Sequence, residues 1–183
     1  GTAGVVTDGF LFRYDEKDRA LASLETAAVQ EYQERVFRAH QLAPFDSGKT
    51  RVLVVGDSYG QDWVNALDAH GVWESVSLST FHVDVFCGNL WPRTSIEHLV
   101  AEGQRAHCSR HPKYEDPVLQ DRIAEADWIL LVSSWANWHV PYVKETVERI
   151  EGRTSGKVRV VGSKSFGHLT TKDYRQFLEV SPE

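Results

Sequence analysis

Residues 51–67 read RVLVVGDSYGQDWVNAL, and this stretch decides the fold. Its first five residues form a short, strongly apolar run that is typical of a buried strand. The next five, GDSYG, have the composition of a turn, and residues 61–70 are predicted to form a helix that Gly71 ends. A buried strand that runs through a turn into a helix predicts a βαβ unit.

Apolar pentamers recur at Trp128–Val132 and Lys157–Val161, and residues 75–85 are predicted to hold a further strand. The spacing of apolar residues predicts helices near 95–107, 121–126 and 140–150. Strands that are nearly all apolar are expected where helices cover both faces of a parallel sheet. The sequence therefore predicts an α/β fold, a three-layer sandwich around a mostly parallel sheet.

The length of 183 residues is enough for one domain with a small appendage. We predict an N-terminal extension over residues 1–48, with a short strand at 10–12 and a helix within 17–40. An α/β domain is predicted over residues 49–183, ending near a helix at 174–180. The chain opens with Gly1 and contains no methionine, which predicts that it is a piece of a longer protein.

The net charge of −6 offers no basic surface for a nucleic acid. The longest apolar runs have about five residues, far below the ~20 that a membrane-spanning helix needs. We therefore expect no nucleic-acid partner and no transmembrane segment.

Cys87 and Cys108 are the two cysteines of the chain. They are either two buried thiols or one disulfide, and a disulfide would indicate an oxidising compartment. His107 and His111 flank Cys108, as in some zinc sites. Structural zinc sites usually take four ligands from paired motifs, and only this histidine pair has such a spacing. The sequence therefore predicts no metal site.

Ser58 is the residue on which a functional prediction rests. In parallel α/β folds ligands bind at the carboxyl ends of the strands, where residues 56–60, 82–89, 133–139 and 162–168 are expected to meet. There a serine at a helix N-terminus would expose its hydroxyl beside N–H groups that stabilise an oxyanion. The alternative is that Asp57 or Ser58 only caps the helix. The glycine spacing matches neither phosphate-binding motif.

These residues carry a resemblance to the SGNH (GDSL-type) hydrolases. The G-D-S at residues 56–58 matches their first sequence block, in which the serine is the nucleophile. Their second block places a glycine N–H in the oxyanion hole, and Gly88 is the best match here. Their third block, G-x-N-D, follows the third strand. Residues 133–137 read SSWAN instead, so Asn137 is a shifted candidate for the oxyanion-hole amide.

More specifically, the chain resembles the SGNH domains of polysaccharide O-acyltransferases, in which Ser/Ala-x-Trp replaces G-x-N-D and a KVRVVG-like strand follows. Residues 7–12, TDGFLF, also resemble the D-G-W-L-F entry of alginate O-acetyltransferase-like proteins. The resemblance implies a flavodoxin-like strand order. A fifth strand is missing, which implies a fold that is incomplete at its C-terminus.

The resemblance also implies a function, Ser58-dependent acyl transfer to a carbohydrate or ester hydrolysis from one, through an acyl-enzyme and without a cofactor. Asp57 and the rings of Trp91, Trp135 and Trp138 are expected to contact the substrate. A periplasmic, extracytoplasmic location is implied, with an acyl-donating membrane acyltransferase as a partner.

One block of the family is missing. SGNH hydrolases end with D-x-x-H, which supplies the base and its carboxylate, and alginate-type relatives place a D-x-H before the serine; this chain has neither. His82, His139 and His168 fall near predicted strand ends, and His168 is closest in order to the missing block, so it is our candidate base. Either the chain stops before the block, or the base comes from elsewhere, or this is a non-catalytic carbohydrate-binding or scaffolding domain.

Overall fold

The computed structural model describes residues 26–111 and 114–162, and this part of the chain is an α/β fold. The strands are β1 (Thr50–Gly56), β2 (Val76–His82), β3 (Trp128–Val132) and β4 (Lys157–Val161). The helices are α1 (Thr26–Ala39), α2 (Ser58–Asp68), α3 (Glu102–Cys108), α4 (Pro117–Glu125) and α5 (Val140–Glu151), with short 3-10 helices at Val72–Ser75 and Glu97–Leu99. The predictions at residues 10–12, 168 and 174–180 lie outside the described residues.

The four strands form one all-parallel sheet in the order β2-β1-β3-β4. This order is that of the first four strands of a flavodoxin-like sheet. The carboxyl ends of the strands lie level, because Gly56 pairs with both His82 and Val132, and Val132 pairs with Val161. The predicted parallel sheet, with its three apolar pentamers, is confirmed.

Side chains of β1 alternate between two hydrophobic cores. Leu53 and Val55 pack on the side of α4 and α5, whereas Val52 and Val54 pack on the side of α1 and α2. Full burial of each such side chain stabilises the fold by roughly 1.5–3 kcal/mol relative to exposure. Both faces of β1 are therefore apolar. This explains why its sequence does not alternate between apolar and polar residues, as that of a strand with one solvent-exposed face would.

The segment that follows α1 is joined to the edge of the sheet. Gln41 forms a parallel bridge with Thr80 of β2. The Thr80 N–H donates to the His40 carbonyl at 2.9 Å, and the Thr80 hydroxyl donates to the Phe37 carbonyl at 2.6 Å. Phe37 is fully buried. The described part of the predicted N-terminal extension therefore packs as part of the core.

The region predicted as one helix near residues 95–107 is divided. A 3-10 turn at Glu97–Leu99 is separated from α3 by Val100 and Ala101, which have ψ values of 135° and 136°. Val100 is only 5% exposed. Its burial within the fold overrides the local preference for a continuous helix.

Cys87 and Cys108 form a disulfide, with Cα atoms 5.3 Å apart. The bridge joins the loop after β2 to the end of α3, so of the two alternatives the disulfide is confirmed. Separately, none of the helices in the described part of the chain has the length and apolarity that crossing a bilayer requires.

Candidate functional site

The turn at residues 56–60 connects β1 to α2 at the carboxyl edge of the sheet. A Cβ on Gly56 would lie 2.3 Å from the Val132 carbonyl oxygen, so β1 and β3 could not approach this closely with any other residue there. Asp57 is the N-cap of α2, since its Oδ1 accepts from the Tyr59 N–H at 2.9 Å. The cap therefore belongs to Asp57 and not to Ser58.

The second carboxylate oxygen of Asp57 connects this turn to the segment after β3, where it accepts from the Ser134 N–H at 2.9 Å. Asp57 is 3% exposed. Burial raises its pKa, and the hydrogen bonds from Ser134 and Tyr59 oppose that rise. A buried carboxylate committed to two backbone N–H groups is shielded from a substrate, so its placement favours a structural role over the predicted substrate contact.

Ser58 is the first residue of α2, and it is exposed. Within the described residues its hydroxyl makes no hydrogen bond. The first N–H groups of a helix lack partners inside the helix and carry the positive end of its dipole. Ser58 thus presents a hydroxyl to solvent at a position that stabilises negative charge.

Ser58 also lies where a ligand is expected to bind, beyond the carboxyl end of a central strand of the sheet. The chain leaves β1 and returns on one side as β2, whereas β3 and β4 lie on the other side. In open α/β sheets ligands bind beyond the carboxyl ends of the strands at this point of divergence. Ser58 lies at this point, two residues after the last residue of β1.

Gly88, the predicted oxyanion donor, lies in the loop after β2 and has a φ of +78°. A Cβ at this position would lie 2.9 Å from Trp138 Cη2 and 3.1 Å from His139 Nε2. The backbone conformation and the lack of space both require glycine here. The loops after β2 and β3 therefore meet at Gly88, with the half-buried Trp138 side chain against it.

His139 is nearly fully buried at 2% exposure, behind Trp138. Its Nδ1 accepts from the Ala136 N–H at 3.0 Å, so in the neutral ring the proton resides on Nε2. Nε2 is buried and has no hydrogen-bond partner among the described residues. Burial lowers the pKa of His139. These observations favour a neutral, packed histidine over a base that meets solvent.

Asn137 is exposed, and its side chain makes no hydrogen bond within the described part of the chain. The amide that connects the strand ends is Asn89 instead. Its Nδ2 donates to the Val55 carbonyl and to Ser133 Oγ, both at 2.9 Å, and its Oδ1 accepts from the Tyr114 hydroxyl at 2.5 Å. Sequence reasoning missed Asn89, whose one signal was a Gly-Asn pair typical of a turn.

Two of the three tryptophans predicted to stack on a sugar are engaged inside the protein. Trp91 is 5% exposed, stacks on Tyr114 at 5.4 Å between ring centroids, and has the Arg149 guanidinium 4.1 Å from its ring. Trp135 is half-buried, and its indole N–H donates to the Val161 carbonyl at 2.6 Å. Both placements favour packing over sugar stacking and leave Trp138 as the best-placed candidate.

Of the three candidate histidines, His168 lies outside the described residues. His82 ends β2, and its Cα pairs with that of Gly56, two residues before Ser58. It is half-buried, and burial lowers its pKa, although Asp84 and Asp57 act in the opposite direction. No histidine in the ranges 26–111 and 114–162 hydrogen-bonds Ser58.

A cavity of about 230 Å³ opens beside the loop that follows β2. The predicted site residues fall into two groups. Gly88 and Trp91 line the cavity, whereas Ser58 and Asn137 are exposed outside it.

No protein-family model, no curated protein and no solved structure matches this chain. The geometry of the carboxyl edge is therefore what defines the candidate site. Its two chemically informative features are an exposed serine at a helix N-terminus and a histidine on the adjacent strand.

Proposed function

We propose that this chain is an SGNH-type α/β domain that uses Ser58 for acyl transfer to a carbohydrate or for ester hydrolysis from one. The observation that carries the proposal is the division of roles between Asp57 and Ser58. Asp57 performs the whole capping function, so helix capping does not explain why a serine stands exposed at the next position. A nucleophile needs such an exposed hydroxyl at a point where ligands bind.

His82 is the base in this proposal. It replaces His168, which sequence order favoured, because its Cα lies opposite Gly56 on the neighbouring strand. Its ring is half-buried and lies edge-on to the Phe37 ring, with 6.5 Å between the centroids. A serine needs such a base within hydrogen-bond reach, and apo sites often close that distance only when substrate binds.

In the first step Ser58 Oγ attacks the acyl carbonyl carbon while its proton passes to His82. The carbonyl π electrons move to oxygen, and the resulting oxyanion is stabilised by the N–H groups of Ser58 and Gly88, with Asn137 as the shifted third donor. The oxyanion then reforms the carbonyl and expels the alkoxide, which takes the proton from His82. An ester between the acyl group and Ser58 remains.

In the second step water or a carbohydrate hydroxyl attacks this ester and gives its proton to His82. Collapse of the new tetrahedral intermediate releases Ser58 Oγ, which recovers the proton. Water yields hydrolysis, and a sugar hydroxyl yields transfer. Trp138, half-buried beside Gly88, is the ring placed to stack on the sugar.

The proposal includes an extracytoplasmic, periplasmic location and a membrane acyltransferase as acyl donor. The Cys87–Cys108 disulfide supports the location, because disulfides persist mainly in oxidising compartments. The partner is proposed only from the family resemblance.

A non-catalytic carbohydrate-binding or scaffolding domain is the second candidate. It is favoured by the lack of a hydrogen bond between Ser58 and any histidine among the described residues. It is disfavoured by the engagement of Trp91 and Trp135 inside the protein, which removes two of the three rings for a sugar platform.

The test is turnover of an aryl acetate together with covalent labelling by a fluorophosphonate, located by peptide mass spectrometry. We expect labelling at Ser58, and Ser58→Ala should reduce turnover by roughly 1,000-fold or more. His82→Gln should slow both reactions about 100-fold or more. Ser155→Ala is the matched control, since Ser155 is an exposed serine that precedes β4 at the opposite edge of the sheet.

Equal turnover in the wild type and in Ser58→Ala would exclude Ser58 as the nucleophile. Neither turnover nor label in the folded wild type would favour the non-catalytic domain. Labelling of Ser58 that His82→Gln leaves unchanged would retain the nucleophile and remove His82 as its base.

A further inference from the structure

Three side chains with metal-binding atoms meet beside the disulfide. The His107 Nε2 lies 2.8 Å from Asp84 Oδ2, and the rings of His107 and His111 have centroids 4.0 Å apart. One ligand atom from each of the three residues lies within 4.8 Å of the other two. All three side chains are half-buried, so solvent reaches the cluster.

We propose that Asp84, His107 and His111 form a binding site for a divalent transition-metal ion, with zinc as the reference ion. Two imidazoles and one carboxylate are the ligand set of open zinc and non-haem iron sites, in which the protein leaves at least one position for water or another ligand. The three ligands are different residues from those proposed to act with Ser58, although His82 stands only two residues before Asp84. The metal site stands whether or not Ser58 is a nucleophile.

The carboxylate is held in place before any metal binds. Asp84 Oδ1 accepts from the Phe86 N–H at 2.8 Å, and the Asp84 carbonyl accepts from the Cys87 N–H at 3.0 Å. Oδ2 remains directed at His107. Fixing a ligand by hydrogen bonds from neighbouring residues reduces the entropy that metal binding would otherwise cost.

The disulfide holds together the two segments that supply the ligands. Cys87 stands three residues after Asp84, and Cys108 stands directly after His107, so the bond fixes the distance between the two ligand-bearing segments. With both sulfurs in the bridge, neither cysteine is a metal ligand. The third candidate ligand beside the two histidines is therefore Asp84 and not Cys108.

The cavity beside the cluster leaves room for further ligands of the metal. Asp84 and His111 line it, together with Arg93, Glu97 and Arg105. Two of the three proposed ligands thus line a cavity, which leaves room for the exchangeable position of an open metal site.

The competing explanation is that Asp84 and His107 form only a hydrogen-bonded pair, against which the His111 ring packs. Zinc titration of the chain after EDTA treatment and dialysis distinguishes the two, by calorimetry and by the absorption spectrum of bound Co²⁺. We expect one equivalent of Zn²⁺ and a tetrahedral or five-coordinate Co²⁺ spectrum. Zinc should also raise the melting temperature, because it binds only the folded arrangement.

His111→Ala is the principal variant, because the imidazole of His111 accepts and donates no hydrogen bond among the described residues and its loss should leave the fold intact. We expect its zinc affinity to fall by more than the roughly 10- to 100-fold that follows loss of an outer-shell partner. His107→Ala and Asp84→Asn should behave alike. His98→Ala is the control, since His98 is exposed on the same connection and outside the cluster.

Failure of the wild type to bind Zn²⁺ or Co²⁺ at a defined stoichiometry would overturn the site. So would equal loss of affinity in His98→Ala and His111→Ala, which would indicate non-specific binding to surface histidines. Retention of full affinity in a folded His107→Ala, His111→Ala double variant would exclude these residues as the ligands.

Discussion

The turn at residues 56–60 and the long connection at residues 83–111 both lie at the carboxyl edge of the sheet, but they are stabilised by different kinds of contact. In the turn, the capping contact spans two residues, from Asp57 to Tyr59. The contacts that hold the connection span many more: 21 residues for the disulfide, 23 between Asp84 and His107, and 25 from Asn89 to Tyr114, which stands just beyond it. The start of the helix is capped locally, and Asp57 alone ties the turn to a distant segment, at Ser134. The connection instead depends on several contacts between residues far apart in the chain.

This difference suits the two regions to different kinds of site, a single nucleophile in the turn and a set of metal ligands in the connection. A local turn can present one side chain, Ser58, in a fixed direction at a helix N-terminus. Only a connection that folds back on itself can bring together ligands from separate segments, as with Asp84 and His107. Mutations in the connection should therefore be costly where they cut a distant contact, and those in the turn where they disturb the approach of β1 and β3.

The largest effect is expected from removing the disulfide with Cys87→Ser and Cys108→Ser together. The bridge closes a loop of sequence separation 21, for which the chain-entropy estimate is about 3 kcal/mol. We expect the free energy of unfolding in urea to fall by about that amount. An unchanged free energy of unfolding would show that hydrogen bonds alone hold the connection.

The next largest effect is expected in the turn, from Gly56→Ala. A Cβ would lie 2.3 Å from a backbone carbonyl oxygen of β3, and neither strand can move far because both are central in the sheet. We expect a loss of roughly 2–3 kcal/mol in the free energy of unfolding. Gly103→Ala, with nothing within 4 Å of the added Cβ, is the matched control and should be neutral or slightly stabilising. Equal effects of the two would contradict the close approach.

A smaller effect is expected for Asn89→Ala, which removes the amide that joins the connection to the ends of β1 and β3. The Val55 carbonyl and the Tyr114 hydroxyl would lose a partner in a buried place. We expect a loss of about 2 kcal/mol by urea unfolding. Asn137→Ala should change stability little, since that side chain is exposed. Comparable losses in both would refute the assignment of the structural amide to Asn89.

The parts of the fold that could be predicted from the sequence are those with a local signature. Buried parallel strands are short apolar runs, so Trp128–Val132 and Lys157–Val161 were predicted with the bounds that the structure has. The turn composition also placed Ser58 at the start of a helix. Whether Asp57 or Ser58 was the cap remained open, because both residue types cap helices equally well.

What could not be predicted depends on contacts between distant residues. The spacing of Cys87 and Cys108 contains no information on the 5.3 Å between their Cα atoms, so the disulfide remained one of two alternatives. His107 and His111 had a ligand-like spacing, but their carboxylate partner stands on another segment. Trp91 was taken for a ligand contact because burial against Tyr114 cannot be read from composition.

The smallest effects are expected from two aspartates at opposite ends of β1, and they should have opposite pH dependence. At the amino end, Asp127 accepts from the Arg51 side chain at 2.7 Å and from its N–H at 2.8 Å, and these bonds lower the pKa of Asp127 to about 2. At the carboxyl end, burial raises the pKa of Asp57.

A lowered folded-state pKa means that the carboxylate of Asp127 stabilises the fold above the unfolded-state value of 3.8, and that this contribution is lost as the pH falls towards about 2. The stability difference between the wild type and Asp127→Asn should therefore shrink over that window. Both partners are well exposed, so the difference at neutral pH is small and salt reduces it.

The raised pKa of Asp57 has the opposite sign. The folded state holds this proton more tightly than the unfolded state does, so the contribution of Asp57 to stability declines as the pH rises above 3.8 through the folded-state pKa. Asparagine is as good a cap as aspartate, so Asp57→Asn should keep the helix and lose this pH dependence, and its stability deficit should grow towards low pH. Urea unfolding of the wild type and of both variants between neutral pH and pH 3 measures how each stability difference from the wild type changes with pH, which gives one slope for each aspartate. Slopes of the same sign would mean that the hydrogen bonds from Ser134 and Tyr59 outweigh burial in setting the pKa of Asp57.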